Sequence, residues 1–219
     1  MLVFALTAHE YAHAATALHQ GDDTAYQLGR VTLNPVPHID PWMSLLLPAL
    51  LYFSTNGAFT FGGAKPVPVN PRKYRKFVRG DLLVSSAGVV TNFVLAFVFS
   101  FFYVLLGLLA QATPGAAAVL ETAQRMMIQG IWINLILCFF NLIPIPPLDG
   151  SHLLYHALPP KAGSWYRDLR RFGYLPLFAL LFIFRPVVGF LLAPAAAMMN
   201  LLGGFIAPFT VGTPVAGLY

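Results

Sequence analysis

Long apolar runs, separated by short stretches rich in charge, proline and glycine, set the plan of this chain. The first run, Leu2 to His19, reads as one helix that stops at Gly21-Asp22-Asp23. Residues 24–40 hold no long helix: Val31, Thr32 and Leu33 are strand-like, and Asn34-Pro35, Pro37 and Pro41 punctuate the stretch. Trp42 to Ser54 is apolar but shorter than the roughly 20 residues a span needs, which predicts a re-entrant or interfacial helix. From Gly57 to Val69 the period changes to two, with Phe59 and Phe61 alternating before Gly62-Gly63 and prolines 66, 68 and 71. Extended backbone is expected there, tolerated at membrane depth only where protein or a wet cavity covers it.

Asp81–Ala110 and Val119–Ile143 are each long enough to span with tilt. From Leu175 the chain is again apolar, broken at Arg185-Pro186, and fits one span or a pair of shorter helices. The pattern predicts an all-α polytopic membrane protein of about four to six transmembrane helices, with a re-entrant or extended membrane-associated segment between the first span and the next. A single domain over residues 1–219 is expected, its core over about 1–155 and its C-terminal helices over about 165–219.

Composition agrees. Hydrophobic residues make up 58% and charged residues 10%, against about a quarter charged in soluble domains. No stretch reads as a separate soluble module. The N-terminal run lacks the basic flank and small-residue cleavage site of a secretory signal, so helix 1 is expected to be retained, either as a short span or with native residues ahead of it. Cys138 lies in an apolar run and reads as a core residue.

The net charge of +5 is local rather than diffuse. Lys65, Arg72, Lys73, Arg75, Lys76 and Arg79 form one cluster, Lys161, Arg167, Arg170 and Arg171 another, and residues 111–118 carry no charge. By the positive-inside rule both clusters are cytosolic and 111–118 is outside. Membrane lipids, and no nucleic acid, are the neighbours this distribution implies. The expected location is a cell membrane, crossed several times, with the active site toward the cytosol.

Within the first helix stands His9-Glu10-Tyr11-Ala12-His13. Residues i and i+4 share a helix face, so His9 and His13 can meet one metal ion with Glu10 beside them. The chain has 6 His, and its only Glu residues are Glu10 and Glu121, so this spacing is expected by chance on the order of 0.002 times. The alternative is a trio that satisfies itself inside a helix bundle. Burying a central acid costs about 2.5–3.5 kcal/mol, which makes an unused trio expensive to keep. The reading is a zinc site with its general base.

Catalytic zinc takes three protein ligands and leaves a fourth place open. His19 falls about 120° round from His13 and roughly 9 Å along, so it faces elsewhere. Glu121 lies on the external side by charge pattern. Asp149 is the best candidate, in Asn141-Leu-Ile-Pro-Ile-Pro-Pro-Leu-Asp-Gly-Ser-His152, where prolines and Asp-Gly break a helix and leave a carboxylate at its cytosolic end. Asp-Gly can also be a plain turn at a helix end. Asp40, His38, His152 and His156 are weaker candidates, the last two equally readable as interfacial residues.

HEYAH in the first helix, LGRVTLNPVPHIDP, FGGAKPVPVNPRKYR, AGVVTN at 87–92 and NLIPIPPLDGSHLL together resemble the site-2 protease family of intramembrane zinc metalloproteases, in its compact prokaryotic form without a PDZ domain. The resemblance covers residues 4–155. It implies one zinc ion held by His9, His13 and Asp149, Glu10 as base, and transmembrane or membrane-proximal protein segments as substrates. It also implies that Asn141 holds substrate or the oxyanion, although Asn141 can instead cap a broken helix. Val89 replaces the proline usual before Asn92, which moves Asn92 toward helix packing, and Gly62-Gly63 departs from a Gly-aromatic pair. A metal transporter would spread its ligands along a path over several helices, and a silent scaffold would not need Glu10. Hydrolysis predicts a polar path for water past residues 20–40, and Gly57–Val69 offers an edge for a substrate strand.

Overall fold

The computed structural model describes residues 1–57, 60 and 62–212. The first apolar run is helix α1 (Leu2–Gln20). It ends as its sequence dictates: Gly21 takes φ +107°, its N–H donates to Leu18 O at 3.1 Å, and the Asp22 N–H reaches Ala17 O at 2.9 Å. Those two bonds satisfy carbonyls that the last helical turn leaves open, and the left-handed position suits glycine.

Buried Asp22 then ties the turn together. One carboxylate oxygen accepts the Thr24 N–H at 3.0 Å, opening the short α2 (Thr24–Gln27), and the other accepts the Asn70 N–H. Arg75 N–H donates to Gln20 O at 2.9 Å and Lys73 pairs with Asp23 at 2.6 Å, so residues 70–75 run against the end of α1.

Val31, Thr32 and Leu33 form bends instead of the expected strand, and there is no strand among the described residues. The cause is local. Thr32 Oγ1 accepts the Asn34 N–H and Asn34 Oδ1 the Val36 N–H, both at 3.1 Å, while Pro35 and Pro37 have no N–H to give a ladder. One tight turn of helix follows at Val36–His38. Asp40 then caps a wide helical turn, Pro41–Leu46, by accepting from the N–H groups of Trp42 (2.9 Å) and Met43 (2.8 Å), and α3 (Leu47–Ser54) continues it. The apolar helix Pro41–Ser54 is thus a short one, as read. Phe59 and Phe61 lie outside the described residues. Residues 62–70 are non-helical and are fastened by single hydrogen bonds in place of a ladder: Gly63 N–H to Met43 O (3.0 Å), Ser44 Oγ to Gly63 O (2.7 Å) and Lys65 N–H to His38 O (2.8 Å).

Helix α4 (Phe77–Ala112) and α5 (Ala117–Asn141) are the two long spans the pattern predicts, α5 ending before Pro144 breaks the period. After a turn come α6 (Gly150–Ala157), α7 (Pro160–Asp168), α8 (Leu175–Phe182) and α9 (Arg185–Ile206). The C-terminal apolar stretch is therefore one short helix and one long one. Among the described residues three helices are long and apolar enough to cross a membrane: Phe77–Ala112, Pro114–Asn141 and Pro186–Phe209. Helix α1, at 19 residues, has nearly the length, but His9, Glu10, His13, His19 and Gln20 dilute its apolarity. On α4 the exposed residues Val90, Val94, Phe97, Phe101, Leu105 and Leu108 recur every three or four positions, an apolar stripe suited to lipid.

The chain divides into two compact units, Leu2–Gly88 and Val89 onward with Met1. In the first, fully buried Ala14 packs with Ala25 and Val67, and Ala17 packs with Tyr74 and Val84, small side chains letting the neighbours approach α1 closely. In the second, Phe99 and Tyr103 of α4, Ile131 and Leu135 of α5, and Met199 and Leu202 of α9 form the core. Asn92, fully buried, donates its amide to Asn134 Oδ1 at 2.8 Å, which is the packing role read for it. Cys138 is buried on α5 as read.

Candidate active site

Helical spacing does most of the work in the first unit. It brings His9 Nε2 and His13 Nε2 to 3.0 Å from each other, with the rings edge to face. His13 Nδ1 lies 2.7 Å from Val84 O on α4. A carbonyl oxygen only accepts, so the His13 proton sits on Nδ1 and Nε2 carries the lone pair a metal needs. Two nitrogens bound to one tetrahedral zinc at 2.0–2.1 Å stand about 3.3 Å apart, close to the observed separation.

Room for an ion is left by Gly88. A Cβ there would lie 2.5 Å from His13 Nε2 and 2.6 Å from His9 Nε2. Any side chain at 88 would fill the space that both Nε2 atoms border. His9 is buried and His13 half-buried, so the donors are shielded from solvent. Donor chemistry and cradle both fit zinc.

Glu10 is the third member. Its Oε2 accepts the Val67 N–H at 2.8 Å, which fixes the carboxylate against the 62–70 segment while the two imidazoles turn to Gly88.

The remaining sequence candidates fall elsewhere. His19 is exposed, as its position round the helix requires. Asp40 caps its helix, and buried His38 places Nε2 at 3.0 Å from Thr32 O. Glu121 pairs with Arg125 at 2.7 Å on the same face of α5. His152 and His156 are half-buried on α6.

Asp149 and Asn141 bracket the proline-rich turn of the second unit. Asn141 is the last residue of α5 and its Nδ2 donates to Leu137 O at 2.9 Å, one turn back on its own helix. The turn is tight: Ile145 N–H reaches Ile143 O at 2.8 Å, Leu148 N–H reaches Ile145 O at 2.9 Å, and the Tyr166 hydroxyl holds Pro144 O at 2.7 Å. Asp149, half-buried, heads α6, its main-chain oxygen accepting the His152 N–H at 2.9 Å. The glycine after it is obligatory, because a Cβ at Gly150 would sit 2.2 Å from Leu142 O. Asp-Gly is thus a turn at a helix end as well as the carrier of a carboxylate.

The profile of Peptidase family M50 matches residues 105–184, the part that contains the proline-rich turn. YwhC of Bacillus subtilis, named as a zinc metalloprotease, is 36% identical over 193 residues, 88% of this chain and 82% of YwhC. This chain belongs to peptidase family M50. The M50 family is the site-2 protease family that the motifs resemble, and this M50 peptidase is accordingly an intramembrane zinc metalloprotease. Rip2 of Mycolicibacterium smegmatis, also named as a zinc metalloprotease, is 31% identical over 82% of this chain and 64% of its own length. Rip2 of Mycobacterium tuberculosis is 28% identical over 80% of this chain and 62% of its own length, so the M50 peptidase described here spans somewhat under two thirds of the mycobacterial relatives. No solved structure matches it significantly.

Sequence reasoning missed two parts of the site, Val84 O and the Val67 N–H. Both are main-chain groups, which carry no signal in residue type. Gly88 was legible only as part of AGVVTN; its reason for being glycine is the space it leaves.

Proposed function

We propose that this M50 peptidase hydrolyses peptide bonds in or next to transmembrane segments of membrane proteins and peptides, with zinc held by His9, His13 and Asp149 and with Glu10 as general base. The observation that carries the reading is Glu10, fixed by the Val67 N–H, beside two histidines whose Nε2 atoms stand 3.0 Å apart. Two imidazoles and one carboxylate are a catalytic zinc set that leaves a place for the reacting groups.

When bound, zinc lowers the pKa of a water toward about 7 and polarises the scissile carbonyl. The work of the chain's own residues follows from their bonds. Glu10 Oε2 is engaged by the Val67 N–H, so Oε1 is the oxygen that takes the water proton and returns it to the leaving amine. His13 keeps its proton on Nδ1 throughout, because Val84 O holds it there. Asn141 spends one amide hydrogen on Leu137 O, which leaves Oδ1 and the second hydrogen for a substrate backbone.

The basic clusters at 65–79 and 161–171, against an uncharged 111–118, support a multi-pass plasma-membrane protein with its site toward the cytosol. Water then arrives from that side past residues 20–40, and lipids surround the apolar stripe of α4. A substrate helix hides its carbonyls in hydrogen bonds, so it must unwind before attack.

The substrate class is tested with the purified protein in detergent, given peptides that contain a transmembrane segment and soluble unstructured peptides of the same length. Fragments ending within or beside the transmembrane segment are expected, with little cutting of the soluble set. Equal cutting of both sets would contradict the substrate class.

A further inference from the structure

Arg30 is buried, 8% exposed, and its charge is answered by main-chain oxygens. Its Nη2 donates to Lys65 O at 2.8 Å and more weakly toward Pro66 O at 3.5 Å. Among the described residues no carboxylate pairs with it. A desolvated guanidinium is costly to keep, and a plain structural tether could be made with an uncharged donor.

What the guanidinium holds leads straight to the base. Lys65 is gripped from both sides of its peptide: its N–H donates to His38 O at 2.8 Å and its oxygen accepts from Arg30. Two residues on, the Val67 N–H donates to Glu10 Oε2 at 2.8 Å. Between them stands Pro66, and Pro68 follows, so φ on either side of Val67 is fixed by a ring and little slack is left in the connection. Arg30 itself is anchored at its main chain, its N–H donating to Ala25 O at 2.8 Å beyond the turn at Gly29, whose φ is +65°. The chain of contacts Ala25, Arg30, Lys65, Val67, Glu10 runs within one compact unit.

We propose that Arg30 is a positioning residue for the general base: it places the Lys65–Val67 backbone so that the Val67 N–H holds Oε2 of Glu10 and leaves Oε1 aimed for proton transfer. The inference rests on the reading of Glu10 as the base. Arg30 touches no reacting atom and acts through the segment alone. It therefore affects the chemical step rather than metal loading or substrate binding.

The test uses the full chain in detergent, with zinc content, kcat and KM measured on a transmembrane peptide. Arg30→Ala is expected to keep one zinc per chain, lower kcat by about tenfold or more, and leave KM within about twofold. Arg30→Lys restores part of the loss, because an ammonium still donates to Lys65 O. Val67→Pro removes the N–H donor at the end of the linkage and should reproduce the loss. The Arg30→Ala, Val67→Pro double variant is expected to be no slower than the worse single, since both break one linkage. Multiplying losses in the double variant, or full kcat in Arg30→Ala at full zinc, would overturn the proposal. Should Arg30→Ala fail to fold, Arg30→Lys and Val67→Pro decide alone. Glu10→Gln is run alongside: if it stays active the base reading falls, and if it is dead while Arg30→Ala and Val67→Pro are not, only the positioning role falls.

Discussion

His13 gives its Nδ1–H to the main-chain oxygen of Val84, 2.7 Å away. The bond joins α1 to α4 at the residue that must present a bare Nε2, and it settles the tautomer without spending a side chain. One turn further along α4, Gly88 provides the room into which that Nε2 points. One helix thus orients the His13 imidazole and leaves open space beside it.

Gly88→Ala follows from this directly. A methyl 2.5 Å from His13 Nε2 and 2.6 Å from His9 Nε2 has to displace one ring or the ion. Zinc affinity, measured by competition with a chelator, should fall by about tenfold or more with helix content unchanged, in the range seen when groups supporting a metal ligand are disturbed. Wild-type affinity would show that the ion sits elsewhere.

His13→Ala and Asp149→Ala should each lose zinc and proteolysis together, because a three-ligand site cut to two holds metal poorly. Metal content by emission spectroscopy beside cleavage checks it. An Asp149→Ala enzyme with full zinc would remove Asp149 from the ligand set.

The helical run Leu2 to His19, the HEYAH face and the breaks at Gly21 and Pro144 were legible because periodicity, spacing and punctuation are written in residue types. The strand read at Val31–Leu33 failed for a physical reason: β-propensity needs a partner edge, and here side-chain oxygens of Thr32 and Asn34 take the N–H groups first. The C-terminal run, readable as one span or a pair of shorter helices, folds as an eight-residue α8 and a long α9, parted where Arg185-Pro186 breaks the apolar period. In the candidate site, the partners at Val84 and Val67 are main-chain groups, which residue types do not reveal.

Asn92→Ala takes from the fully buried Asn134 Oδ1 the amide that Asn92 donates to it. Hydrogen bonds between membrane helices contribute about 0.5–2 kcal/mol, and thermal unfolding in detergent should show a loss of that size. An unchanged Tm would mean that the pair contributes nothing net.

Lys73 beside Asp23 holds that carboxyl below its ordinary value of 3.8, and the same ion pair raises Lys73 above 10.5. A lowered acid stabilises the fold above 3.8 and loses that contribution as pH falls through its folded value; a raised lysine keeps its contribution below 10.5 and loses it as pH rises through its folded value. Both groups are exposed, so the effect is small and salt-sensitive. Wild type should be slightly more stable than Asp23→Asn across neutral pH, and the gap should close on acidification. A gap that persists in acid would assign it to something other than charge.

The account stands most directly on Glu10→Gln, with bound zinc and cleavage of a transmembrane peptide measured on the same preparation. The side chain stays nearly isosteric and the histidines are untouched, so zinc is expected at the wild-type ratio while cleavage falls by about a hundredfold or more. Full zinc with undiminished cleavage would contradict the role of Glu10, and with it the mechanism built on HEYAH.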